Sequence, residues 1–342
     1  MRRRGFPQSA AARLVMDRRT FICTVASSAL ARAQIAGAQE ARKVWRVGFI
    51  ASGIRPPDGA VPAPLREQLQ TLGFAEGKDV TYEGRWGEGR SERLRELAAD
   101  LFSRKVDVLV AFGGPAAQAA KQASSTAPIV VFSAGDVAET GLVASLARPG
   151  GNVTGVNDPA AVLSSKRLEI LKELVPGAKR VAVLWNAQNY AMTLRYREIE
   201  KAAQLLGMGV DPLGVREPDD FDVAFAAMTR ARPDALMMLT DAFTNMNRQR
   251  VLDYVNAHRI PAMYEFGNVV RAGGLVSYGS DLDETLRLAA VYVAKILKGA
   301  KPSDLPVEQP NRYFLVVNVT AARNLGLAIS QSLLLRADEV IE

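Results

Sequence analysis

Cysteine and histidine are almost missing from this chain of 342 residues, which has one of each, Cys23 and His258. A disulfide framework is thereby excluded, as is any metal site built on several thiolates or imidazoles. No glycine-rich loop ends in Gly-Lys-Ser/Thr and no three-glycine dinucleotide fingerprint follows a strand, so the two commonest nucleotide cradles are absent. His258 sits in a helix tail before Arg259-Ile260-Pro261, where it suits a helix terminus better than a substrate. No cofactor is expected. An enzyme would have to rest on carboxylate pairs alone, the weaker reading.

Net charge is also largely lacking once its location is considered. The formal +7 suggests a polyanion partner, but residues 1–38 carry seven arginines against the single acid Asp17. What remains is nearly balanced, which argues against nucleic acid. The arginines belong to a pattern of their own. Arg18-Arg19-Thr20-Phe21-Ile22 is a twin-arginine signature, followed by an apolar run to Ala31 and small-residue cleavage sites at Ala31-Arg32-Ala33 and Ala36-Gly37-Ala38. The run is too short to span a bilayer. Residues 1–38 are therefore expected to be an export leader, cleaved after 33 or 38, leaving a periplasmic protein without thiols. A cytoplasmic ligand-responsive repressor would need a DNA-reading helix pair where this leader stands.

The chain is 48% hydrophobic and 23% charged, the balance of a packed globular protein. Val106–Phe112 is an apolar, β-rich run; Gly113-Gly114-Pro115, an Ala/Gln helix and a second apolar run ending at Gly135-Asp136 follow. Apolar runs separated by a short helix predict parallel strands buried on both faces, joined by a right-handed crossover. A similar unit recurs about 130 residues later. There an Asp234-initiated strand delivers Thr240-Asp241, a helix follows, and a strand ends at Tyr264-Glu265. Upstream, Val44–Ala51 and Asp79–Tyr82 are echoed by Arg180–Trp185 and Gly209–Leu213. The fold class is therefore α/β, with two doubly wound parallel-sheet lobes. A domain boundary is expected in Arg148–Gly155, and Val137–Leu146 is expected to be a helix capped by Asp136.

In such sheets ligands bind beyond the carboxyl ends of the strands. That places Gly113, Gly114 and Asp136 in the first lobe, and Asn186, Asp241 and Glu265 in the second, at the rims of a cleft. Asp136 and Asp241 have the competing role of helix caps. Three acids among these positions favour a ligand with an ammonium group. Gly113 and Gly114 could offer backbone N–H groups to a carboxylate, and Tyr264, Tyr278, Trp86 or Tyr190 could pack an apolar side chain.

Several longer segments carry a family resemblance. They are Gly141–Val156 (GLVASLARPGGNVTGV), Lys166–Pro176 (KRLEILKELVP), Arg259–Phe266 (RIPAMYEF), Gly273–Gly279, Ile296–Pro310 (ILKGAKPSDLPVEQP) and the ending LLLRADEVIE. With the twin-arginine leader, they resemble the exported substrate-binding proteins of ABC transporters, whose characterised members include tryptophan- and tyrosine-binding receptors. The resemblance implies a type I periplasmic-binding fold joined by a multi-strand hinge. The lobes would be residues 44–155 plus about 280–308, and 156–279 plus about 309–342. It implies contacts at Ser52, Gly113, Gly114, Asp136, Asn186, Asp241 and Glu265, and a monomer that serves an inner-membrane permease with its cytoplasmic ATPase.

Overall fold

The computed structural model describes residues 43–342; the expected leader and its cleavage positions lie outside them. The first half runs β1 (Trp45–Ala51), α1 (Ala63–Thr71), β2 (Val80–Trp86), α2 (Leu94–Ser103), β3 (Val108–Phe112), α3 (Gly114–Ala123), β4 (Ile129–Phe132) and β5 (Val153–Gly155). Then come α4 (Ala160–Leu174), β6 (Arg180–Asn186), α5 (Tyr190–Leu205), β7 (Gly209–Val215), α6 (Asp220–Ala231), β8 (Ala235–Met238), α7 (Ala242–Met246), α8 (Arg248–Ala257), β9 (Ala262–Tyr264), α9 (Gly267–Arg271) and β10 (Val276–Gly279). The chain closes with α10 (Leu282–Leu297), β11 (Phe314–Asn318), α11 (Val319–Asn324), α12 (Gln331–Arg336) and β12 (Glu339–Ile341).

Two sheets result, ordered β2-β1-β3-β4-β5 and β12-β11-β10-β9-β8-β6-β7. The first is parallel throughout; in the second, only β11 runs against its neighbour β10. Both repeat the order second-first-third-fourth-fifth, as a duplicated unit should. One local device recurs with them. The Asp107 carboxylate accepts the N–H of Arg46 at 2.8 Å, while that of Asp234 accepts those of Lys179 and Arg180 at 2.7 and 2.9 Å. In each lobe an acid just ahead of the third strand thus fixes the start of the first.

Alternation along the strands builds the cores. In β1, Val47, Phe49 and Ala51 pack toward α1 and α10, whereas Ile50 packs toward α2 and α3. In β6, Val181, Val183 and Trp185 face α4 and α5, and Ala182 and Leu184 face α6 and α8. Helix α10 follows the strands of the second sheet in sequence, yet it buries Leu286, Ala289, Ala290 and Val293 against the first sheet. The chain therefore passes between sheets after Val156, again near Ser280, and once more before Phe314. Glu308 lies beside Val156 at the first of these crossings, accepting from Asn157 N at 2.8 Å and donating to Gly155 O at 3.1 Å.

The structure corrects two local expectations and refines a third. Residues 137–146 form successive turns rather than a helix: Asp136 caps Ala138 and Glu139, and Gly141, at φ 72°, reverses the chain. Val153–Gly155, at the end of the stretch where a boundary is expected, is the edge strand β5 of the first sheet; at Gly155 a Cβ would stand 2.1 Å from Val131 O, so only glycine permits the pairing. Strand β2 runs on to Trp86, paired with Ala51, beyond the Asp79–Tyr82 expected from the sequence.

The two backbone N–H groups on Asp234, chiefly that of Lys179, hold its carboxyl below the usual carboxylate range. A depressed folded-state pKa stabilises above the unfolded pKa, and the effect is lost as pH falls through the folded one. Asp234→Asn should lower stability by about 1 kcal/mol at neutral pH, modest because the site is exposed. In urea titrations the gap from wild type should narrow as pH falls below the ordinary carboxylate range; a gap that does not change with pH would contradict this role.

Candidate functional site

The carboxyl ends of both sheets' strands face one cavity of about 390 Å³. From the first sheet, β1 leads to Ser52, β2 to Trp86 and Gly89, β3 to Phe112, Gly113 and Gly114, and β4 to Ser133. From the second, β6 leads to Asn186 and Asn189, β8 to Thr240 and Asp241, and β9 to Phe266. Asp158 enters from the first crossing, and Met192 and Arg195 from α5.

The walls are aromatic on both sides. Phe49, Trp86 and Phe112 belong to the first lobe, with Phe49 and Trp86 rings 6.3 Å apart, and Phe243 and Phe266 to the second. The Trp86 ring lies over Gly84, where a Cβ would stand 2.0 Å from the indole. A glycine two residues back on the same strand face therefore makes room for the ring.

Beneath the floor lies a buried quartet of charges. Arg167, on α4, donates to Glu265 Oε1 at 2.8 Å and to Tyr278 O at 2.6 Å. Arg195, on α5, donates to the same Glu265 oxygen at 2.8 Å and to Asp158 Oδ2 at 2.5 Å. Glu265 Oε2 accepts the N–H of Thr240 at 2.7 Å. Burial lowers the Arg167 pKa, only partly opposed by Glu265; burial also acts on Arg195, but Asp158 and Glu265 together outweigh it and leave its pKa raised. Both guanidiniums stay charged, so the quartet is neutral as a set.

Asp241 is engaged as well. Its Oδ2 accepts from Asn186 Nδ2 at 2.7 Å and Asn189 Nδ2 at 3.0 Å, and its Oδ1 caps α7 through Thr244 N at 3.0 Å. Helix α3, by contrast, opens at Gly113 with no side-chain cap. Ser52 Oγ, Thr240 Oγ1, Asn245 Oδ1 and Arg195 Nε are buried without a hydrogen-bond partner, and all four residues line the cavity. Buried polar atoms are rarely left so, and such groups gathered at one cleft suit the binding of a polar solute.

Of the positions singled out from sequence, Ser52, Trp86, Gly113, Gly114, Asn186 and Asp241 come together around the cavity. Asp136, Tyr190, Tyr264, Glu265 and Tyr278 are not among its lining residues. Asp136 is spent on capping; Tyr264 is 1% exposed, with burial pushing its pKa up. Glu265 serves the quartet, and Tyr278 packs near Tyr313, their rings 6.1 Å apart. The three-acid argument for an amine thus loses its footing, since capping and ion pairing already engage those carboxylates. His258 stacks on Tyr254 at 4.1 Å, with Nδ1 against Tyr254 O at 2.9 Å. Asp158, Arg195 and Arg167 escaped notice in the sequence. Their trace was there: Arg195 interrupts the buried stripe Ala191, Met192, Ile199, Ala202 of α5, and a lone charge on an apolar face needs a partner.

Removing one partner from such a set strands a buried charge, at a cost of about 3–5 kcal/mol. Glu265→Gln, which keeps an acceptor for Thr240 N but faces two guanidiniums, should lose that much in urea unfolding. A loss under about 1 kcal/mol would mean that the arginines find compensation elsewhere.

Comparison with known proteins agrees with this geometry. The family described as ABC transporter substrate binding protein matches residues 60–341. The tyrosine-binding protein of Clostridioides difficile (strain R20291) is 25% identical over 259 residues, covering 76% of this chain and 74% of its own. Among solved structures, a conserved domain protein from Vibrio cholerae superposes with a TM-score of 0.82 at 27% identity, over 87% of this chain and 100% of the other. The ABC domain from Streptococcus pneumonia in complex with L-Trp gives 0.80 at 25% identity, with the same coverage. A 5-methylthioribose solute-binding protein from Thermotoga lettingae, at 13% identity and a TM-score of 0.56 over 80% of this chain and 85% of the other, shares the fold alone. The architecture is that of type I periplasmic binding proteins, and the role it serves here is solute binding, not catalysis: this chain belongs to the ABC transporter substrate-binding protein family.

Proposed function

We propose that the protein captures an amino acid with an aromatic or large apolar side chain, by closure of two lobes, for uptake through an ABC importer. The observation that carries this reading is the lining of the cavity. Aromatic rings from both lobes form its walls, and its charged residues are two acids, Asp158 and Asp241, and two bases, Arg195 and Arg248. Balanced charge beside an apolar wall suits a zwitterion with a hydrophobic side chain. A phosphorylated or strongly cationic solute would leave charge uncompensated. The tyrosine-binding relative and the tryptophan-bound neighbour support the same class. On this reading the ligand carboxylate sits at the uncapped start of α3, by Gly113 and Gly114, and its ammonium group lies toward Asp158 Oδ1, the oxygen that Arg195 does not engage.

Closure follows from contacts made to both lobes at once, because a ligand shifts an open–closed equilibrium only by its differential affinity for the two states. The moving bodies are residues 44–155 with about 280–308, and 156–279 with about 309–342. Export through the arginine-rich leader places the monomer in the periplasm. There the closed form is read by an inner-membrane permease, with an ATPase on the cytoplasmic side.

Calorimetry with L-tryptophan, L-tyrosine and L-phenylalanine should show saturable binding to at least one, and Trp86→Ala should weaken it by about tenfold or more. Binding of sugars or polyols with no response to any amino acid would overturn the ligand class while leaving the family untouched.

A further inference from the structure

The two lobes touch beside the cavity as well as around it, and there they meet on bare backbone. A Cβ placed on Gly135 would lie 2.8 Å from Ala191 Cβ, too close for two carbons. One placed on Gly114 would lie 3.3 Å from Asn189 Oδ1 and 3.8 Å from Ala191 Cβ. Gly114 and Gly135 follow β3 and β4 of the first sheet; Asn189 and Ala191 form the first turn of α5 in the second lobe. Gly135, at φ 81°, is also required by its own turn, but Gly114 has no positive φ to explain it.

We propose that Gly114 and Gly135 form a seat without side chains that receives the first turn of α5, and that this contact sets how far the cleft closes. Gly135 and Ala191 are then positioning residues for ligand capture. The reason is the cargo of that turn. Asn189 caps α5 through Ala191 N and also reaches Asp241, while Arg195, one turn further on, lies in the cavity floor. A side chain between seat and helix would hold all of these off the ligand together. The proposal rests on the closure reading above, but its first test needs no ligand.

The lips of the cleft supply the probe. A Cβ on Gly89 would lie 3.1 Å from Met246 Cε, so Gly89→Cys with Met246→Cys, in a full-length chain carrying Cys23→Ser, places two thiols on facing lips of the cleft, within reach of a short bifunctional thiol reagent when the lobes are closed. The rate of bridging by that reagent then rises with the closed population. Adding Ala191→Leu should slow it by about tenfold or more, whereas Ala191→Gly should leave it within about twofold. In the chain without the cysteine pair, Ala191→Leu should raise the dissociation rate of L-tryptophan by a similar factor. If Ala191→Leu fails to fold, Gly114→Ala should give a smaller slowing in the same direction. Cross-linking of Ala191→Leu at the wild-type rate overturns the seat, and so does a parent pair that never cross-links. Normal cross-linking behaviour with no tryptophan response overturns only the amino-acid reading.

Discussion

Two guanidinium groups share one carboxylate oxygen under the cleft floor, and the relation of the lobes depends on that arrangement. Glu265 directly follows β9, Arg167 comes from α4 and Arg195 from α5, so one acid ties together three elements of the second lobe. Its reach goes further. Arg195 holds Asp158 in the first crossing, and Arg167 holds the carbonyl of Tyr278 just ahead of the second. Placing four charges in an apolar interior is costly, and each pair would be a poor source of stability by itself. As a neutral, mutually bonded set they fix where two crossings leave the second lobe, a task that apolar packing performs less specifically.

The difference between the two arginines follows from their partners. Arg195 faces two carboxylates and is held more firmly in its charged form; Arg167 faces one carboxylate and a carbonyl, so burial dominates. The better-compensated residue is the one that lines the cleft. It can present its unpaired Nε to a solute without becoming a stranded charge, because its remaining donors already have partners in Asp158 and Glu265.

Much of the fold was legible in the sequence because its signals are local. Apolar runs such as Val108–Phe112 and Ala235–Met238, and helix stops such as Gly73 and Gly207, are encoded within a few residues. The duplication could also be read, since Asp107 and Asp234 head equivalent strands. Residues 137–146 could not, because their apolar periodicity is that of a helix while Gly141 and the caps on Asp136 divert the backbone into turns. The site was legible as a set of loops: six of the eleven positions singled out line the cavity. Which residue does what was not, because it depends on pairings across long separations, such as Arg167 with Glu265 and Asn189 with Asp241.

That distinction explains why counting acids in the sequence was weak ground for expecting an amino acid or related amine. A carboxylate at a strand end has several possible partners: a solute, a helix N-terminus, or an arginine from another element. Asp136 takes the second, Glu265 the third, and Asp241 serves a helix and two asparagines at once. Strand-end position therefore predicts where a polar side chain stands, while only the donors around it decide whether charge remains for a ligand. In this cleft what remains is close to electroneutral and walled by aromatic rings. On the proposed reading, discrimination among solutes falls to the shape of the apolar wall and to how closely the two lobes can approach.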